Sequence, residues 1–165
     1  MKIFHSNRRE PVMNYLIRDM LAIAEEKYLQ VLELLQLTKE QTEFLEKEDV
    51  EGFGRHIECK QTIIHRIDLL DASFKGLRTQ LQTEYNVQRL EDLGENDTVK
   101  KMLETELKTK KALKTALDID HINTDMAKRL AEKLGDKLKH AGKAPIVLKE
   151  YQKEMSGAIF VNRQG

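Results

Sequence analysis

The sequence predicts an all-α protein: an elongated antiparallel helical hairpin of coiled-coil type, a third long helix and an apolar C-terminal tail. Three observations carry this expectation. Charged residues make up 34% of the 165 residues and aromatics only 5%, which is too polar for a thick globular core. The chain has two prolines and eight glycines, too few turn-formers for a many-stranded sandwich or barrel. Apolar residues recur at helical spacing over long stretches.

The first helix is expected at about 11–47. Residues 1–10 are polar, and Pro11 suits a first helical turn, where its missing N–H loses no bond. From Ile17, the residues Leu21, Ala24, Tyr28, Val31, Leu35, Thr38, Thr42 and Leu45 follow at alternating intervals of four and three, the heptad period. A neighbouring row of Leu16, Ile23, Leu37 and Phe44, with Met20 and Leu34 close by, widens the stripe enough for two partner helices. Lys47-Glu48-Asp49 breaks the pattern, and Asp49 is placed to cap a new helix.

The second helix, about 49–85, carries Phe53, Ile57, Ile63, Ile64, Ile67, Leu70, Phe74, Leu77 and Leu81. So short a connection makes it antiparallel to the first, and at 1.5 Å per residue the hairpin would be a rod roughly 50 Å long. Gly94 and Asn96 mark a joint, and Asp97 is the expected cap of a third helix at about 97–140. Its apolar side is Val99, Met102, Leu103, Leu107, Leu113, Leu117, Ile119, Met126, Leu130, Leu134 and Leu138. Lys110 and Asp120 fall near that side, and Gly135 lowers helix propensity, so this helix is expected to be the least firmly held. Gly142 and Pro145 then stop it. Residues 1–140 thus read as one helical domain and 141–165 as a partner-binding tail. The tail's Leu148, Tyr151, Met155 and Ile159 share a helical spacing, yet a helix so short needs something to pack against. It either folds back on its own bundle or orders on a partner.

The chemistry of a reaction centre is missing from this pattern. Net formal charge is zero, which gives no basic footprint for nucleic acid or anionic membrane, and no stretch is apolar enough to span a bilayer. One cysteine, Cys59, builds no disulfide framework, and Met1 to Asp19 has no unbroken apolar run of signal-peptide kind, so a reducing, cytoplasmic setting is expected. His56 and Cys59 share a helix face but lack a second ligand pair for zinc, and Asp118 with His121 is a single acid-x-x-His step where a di-iron bundle needs two. Gly142-Lys143 is not a phosphate-binding loop, since Gly135 is misplaced and Ala144 replaces the hydroxyl. Lys108, Lys110, Lys111 and Lys114 have no interleaved aromatics and read as a solvated face. No cofactor, metal or enzymatic activity is expected. Glu25 to Asp49 holds eight acids and three bases, against twelve bases and eight acids from Asp97 to Lys143, so the first and third helices should attract.

The hairpin also resembles a known family. The residues concerned are Glu25-Glu26-Lys27-Tyr28, Leu32, Leu34-Leu35, Lys39-Glu40-Gln41, Leu45, the Lys47-Glu48-Asp49 corner, Cys59-Lys60-Gln61-Thr62-Ile63-Ile64, Ile67 and Leu70. In their order they are similar to the FlgN family of bacterial flagellar export chaperones, over roughly residues 15–80. Phe53 departs from the aliphatic residue commoner there, and the tail lacks the family's Gln/Asn-rich character. The resemblance implies a cytoplasmic chaperone of type III export that binds C-terminal helices of hook-filament junction proteins, keeps them unassembled and delivers them to export-apparatus components. It implies client binding through the C-terminal region. There Leu130, Leu134, Leu138, Ile146, Leu148, Tyr151, Met155, Ile159 and Phe160 are the candidate apolar anchors, and none is catalytic. The alternative function on the same fold is a self-associating coiled-coil scaffold or adaptor, a homodimer through its heptads.

Overall fold

The computed structural model describes residues 9–139, with side chains as far as Lys137. These residues form three long α-helices, α1 (Arg9–Glu46), α2 (Val50–Tyr85) and α3 (Asp97–Lys139), with a 3₁₀ turn at Leu90–Leu93. No strand occurs among the described residues, and the fold is all-α as expected. Pro11 falls in the first turn of α1, where an N–H has no intrahelical acceptor to lose. Residues 141–165, the expected tail, lie outside the described residues.

The corner between α1 and α2 is built from local chemistry. Glu48 takes the left-handed conformation (φ 55°). Its N–H donates to the Leu45 carbonyl at 3.1 Å, and the Asp49 N–H reaches back to the Phe44 carbonyl at 2.8 Å. That pair of bonds satisfies the last carbonyls of α1 in a Schellman motif, with glutamate in the place glycine usually takes. Asp49 then caps α2, its Oδ1 accepting the Gly52 N–H at 2.9 Å. Gly52 is required for a different reason: a Cβ there would stand 2.6 Å from the Phe44 ring and 2.7 Å from the Asp49 carboxylate.

The helices divide their residues between two compact units, one drawn from residues up to 30 and from 66–110, the other from 31–65 and from 111 onward. The first unit is closed by Leu16, Ile17, Met20, Ala24, Leu81, Val99 and Met102, with Leu90 of the 3₁₀ turn. The joint expected at 86–96 is thus partly core, because Leu90 and the flanking Leu93 turn inward. Asn96 caps α3 there, its Oδ1 accepting the N–H groups of Thr98 at 3.0 Å and Val99 at 3.1 Å. The expected cap, Asp97, is instead the first helical residue. The second unit has an apolar cluster of Leu45, Phe53, Ile57, Ala127 and Leu130, flanked by Phe44, Val50, Met126 and Leu134.

Besides Leu16, the buried positions on α1 run Ile17, Met20, Ala24, Val31, Leu34, Thr38, Gln41 and Leu45, a heptad seam interrupted only at half-buried Lys27. Five of these were expected in the seam and Met20 and Leu34 in the row beside it, whereas Leu21, Tyr28, Leu35 and Thr42 flank the seam and are half-buried. Lys27 is not wasted, since its Nζ donates to Asp71 Oδ1 of α2 at 2.6 Å. The expected attraction for α3 takes the form of Lys101 with Glu25 of α1 in the first unit and Lys133 with Glu48 of the corner after α1 in the second. Both pairs are exposed and open to screening by salt.

Two glycines of α2 should respond oppositely to alanine. Gly76→Ala meets open space on an exposed helical face and should stabilise the protein by about 0.5 to 1 kcal/mol, from lower unfolded-state entropy. Gly52→Ala gains the same term but must displace the Phe44 ring, and should lose a net ~1 to 3 kcal/mol. Urea unfolding midpoints of the two variants check the pair.

Candidate functional site

The most concentrated polar chemistry lies inside the second unit. Lys60 projects from α2 into the core, where it is 1% exposed. Its Nζ donates to Asp120 Oδ1 of α3 at 2.6 Å and to Gln41 Oε1 of α1 at 3.0 Å. One step along the same helices, Thr42 Oγ1 donates to Asn123 Oδ1 at 2.7 Å, and Asn123 Nδ2 donates to the Thr38 carbonyl at 2.8 Å. Thr38 turns its hydroxyl back on the Leu34 carbonyl at 2.7 Å. Each of the three helices thus supplies a buried polar side chain to one continuous layer. Only Gln41 Nε2 is left buried without a hydrogen-bond partner there.

Sequence reasoning missed this layer. Asp120 was expected to weaken α3; it is instead the carboxylate that balances the only buried lysine among the described residues. The signal was available in the spacing. Phe53, Ile57, Lys60, Ile64 and Ile67 continue a four-three rhythm through the lysine, as Ala116, Asp120, Asn123, Ala127 and Leu130 do through the acid and the amide. Selecting only apolar residues on α3 hid its true inner face, which also buries Thr105 and Thr109. Conversely Leu107, expected on the apolar side, is 55% exposed.

The expected anchors divide sharply. Leu130 is buried in the second unit's own core, and Leu134 packs against it. The expectation that these two present an unpartnered face is corrected: the antiparallel hairpin brings Leu45, Phe53 and Ile57 to the same cluster and covers them. The side chain of Leu138 lies outside the described residues, as do Ile146, Leu148, Tyr151, Met155, Ile159 and Phe160.

His56 and Cys59 do not converge. His56 Nε2 lies 2.5 Å from Glu40 Oε2, with its ring edge-on to Phe44 at 4.8 Å, while Cys59 is exposed. The hydrogen bond from His56, and a weaker one from Gln36, hold the Glu40 carboxyl below the usual carboxylate range. Lys133 does the same for Glu48. Among the described residues no three His, Cys, Asp or Glu side chains are grouped to hold a metal, and no helix is long and apolar enough to cross a membrane.

The first unit has an open trough of about 690 Å³ along the start of α3, floored by Val99, Leu103 and Leu107. Acidic residues of α3 and of the segment before it form its rim.

Searches of family models, of curated proteins and of solved structures found no match to this chain.

Removing one member of the buried pair, by Lys60→Ala or Asp120→Ala, should cost about 3 to 5 kcal/mol because the other charge is stranded. The double variant Lys60→Met/Asp120→Leu should recover most or all of that loss, and chemical denaturation of it beside Lys60→Met and Asp120→Leu alone closes a double-mutant cycle. For Glu40, a lowered folded-state pKa means its contribution is present above about pH 4.5 and fades as pH falls through the lower folded value. Glu40→Gln should therefore lose less Tm than the parent between about pH 5 and about pH 3.

Proposed function

We propose that this protein is a helical binding protein of the flagellar export-chaperone kind. It holds the C-terminal helix of a hook-filament junction protein unassembled in the cytoplasm and presents it for export. The observation that carries this reading is the hairpin itself: the stretches whose residues resemble the FlgN family form α1 and α2, and the Lys47-Glu48-Asp49 run forms the tight corner between them. The buried layer supports a scaffold role for that hairpin, because polar side chains in a helical core fix alignment more than they add stability.

Client capture falls to the C-terminal part of the chain. Ile146, Leu148, Tyr151, Met155, Ile159 and Phe160 supply apolar anchors for an amphipathic helix, with Leu148, Tyr151, Met155 and Ile159 at spacings of three and four. Leu130 and Leu134 are committed to the chain's own core and are left out of the client site.

A second reading, a self-associating scaffold, draws on one observation. Tyr15 and Leu29, two heptads apart on the outer face of α1, are 63% and 62% exposed, and Val12 beside them is 47% exposed. A line of that period suits a further helix.

Backbone amide exchange of the full chain, alone and with a peptide covering the C-terminal helix of a hook-filament junction protein, separates the readings. Slowed exchange confined to residues 141–165 is the expected outcome for the chaperone. Unchanged exchange with the peptide, together with concentration-dependent protection around Tyr15 and Leu29, would reject it in favour of the scaffold.

A further inference from the structure

We propose that the trough of the first unit is a docking site for a cationic amphipathic helix of a partner protein, distinct from the C-terminal segment assigned to the export client. The floor is a line of apolar side chains on α3 at intervals of four: Val99, Leu103 and Leu107. Val99 is a core residue whose edge lines the trough, Leu103 is half-buried against the same core, and Leu107 stands 55% exposed. At 1.5 Å rise per residue the line is about 12 Å long, which matches two turns of a second helix laid alongside. The trough is open to solvent, which suits a segment of chain better than a small molecule enclosed on all sides.

Charge selects the occupant. Glu91, Glu95, Asp97 and Glu104 stand around the trough, with Lys100 the one base among its lining residues. Glu91 has a loose exposed contact with Arg89 at 3.8 Å, whereas Glu95, Asp97 and Glu104 have no ion-pair partner among the described residues. The chain as a whole is neutral, so this is a local concentration of unbalanced carboxylates beside exposed leucine. An acidic or neutral helix would bury its apolar side here against uncompensated repulsion or none of the attraction. A helix with leucines on one side and Lys or Arg along both borders satisfies the floor and the rim together.

The test uses the full chain and a fluorescein-labelled, roughly 15-residue Leu/Lys peptide of amphipathic helical pattern, with a Leu/Glu peptide of the same pattern as its counterpart. Fluorescence anisotropy should show saturable binding of the Leu/Lys peptide at about micromolar concentration, weakening several-fold as salt rises from about 50 to about 300 mM. Amide exchange should slow in residues 91–107 on binding. Leu107→Ser, at an exposed site with little to lose in folding, should weaken binding about tenfold or more, and Glu95→Lys/Glu104→Lys should do the same. Leu69→Ser, at another exposed leucine, should leave it unchanged. Equal binding of both peptides, an unaffected Leu107→Ser variant, protection elsewhere in the chain or no saturable binding would each overturn the proposal. Far-UV circular dichroism matching the parent establishes that each variant is folded.

Discussion

A lysine ammonium in the middle of a helical core constrains everything packed around it. Burying an unbalanced charge costs several kcal/mol, so the chain folds only where an anion meets Lys60 at hydrogen-bond distance. Asp120 of α3 is that anion, 60 residues away in sequence, and Gln41 of α1 accepts a second hydrogen bond from the ammonium. A slip of one heptad of α3 would set Leu113 or Ala127 opposite the lysine, and neither can accept a proton. Alternating leucines tolerate such slips at small cost; an ion pair does not. The alignment of three long helices in this unit therefore rests on one contact, supported next door by Asn123 bridging Thr38 and Thr42.

How much of this was legible in the sequence depends on which rule was read. Helix existence and the turn at Glu48 and Asp49 were plain, because they follow from period, propensity and an acid at a cap. The choice of inner face was legible only in part. Reading hydrophobicity alone placed Leu107 with the core of α3 and set Asp120 aside as a defect, whereas the rhythm of four and three runs through the polar residues without a break. Apolar character marks what gains from burial; period marks what is buried, and in a polar-layered bundle these diverge. Leu90 was hidden for the opposite reason. It sits in a short segment between helices, where no periodicity exists to announce an inward side chain.

The candidate anchors show the same limit from another side. Leu130 and Leu134 have the spacing of a binding stripe, and spacing cannot tell a partner helix in the same chain from one in another. The hairpin decides it by bringing Leu45, Phe53 and Ile57 to that stripe. What is left for recognition by others is therefore outside the heptad seams: the outer line of α1, the trough beside the start of α3 and the sequence after α3. Where helices recognise partners through surfaces of this kind, specificity comes from the few charges that border them.

The division of the helices between two cores has a consequence for the gene. Every one of the three long helices contributes residues to both units, so the first unit is encoded by two separated stretches and the second begins inside one helix and resumes inside another. The shortest uninterrupted frame that holds either core still takes in parts of all three helices. A fragment ending near residue 65 carries Lys60 without Asp120, and one starting near residue 66 carries the acid without the base. A break in the coding sequence between residues 31 and 110 thus truncates both units at once, whereas one beyond residue 110 spares the first.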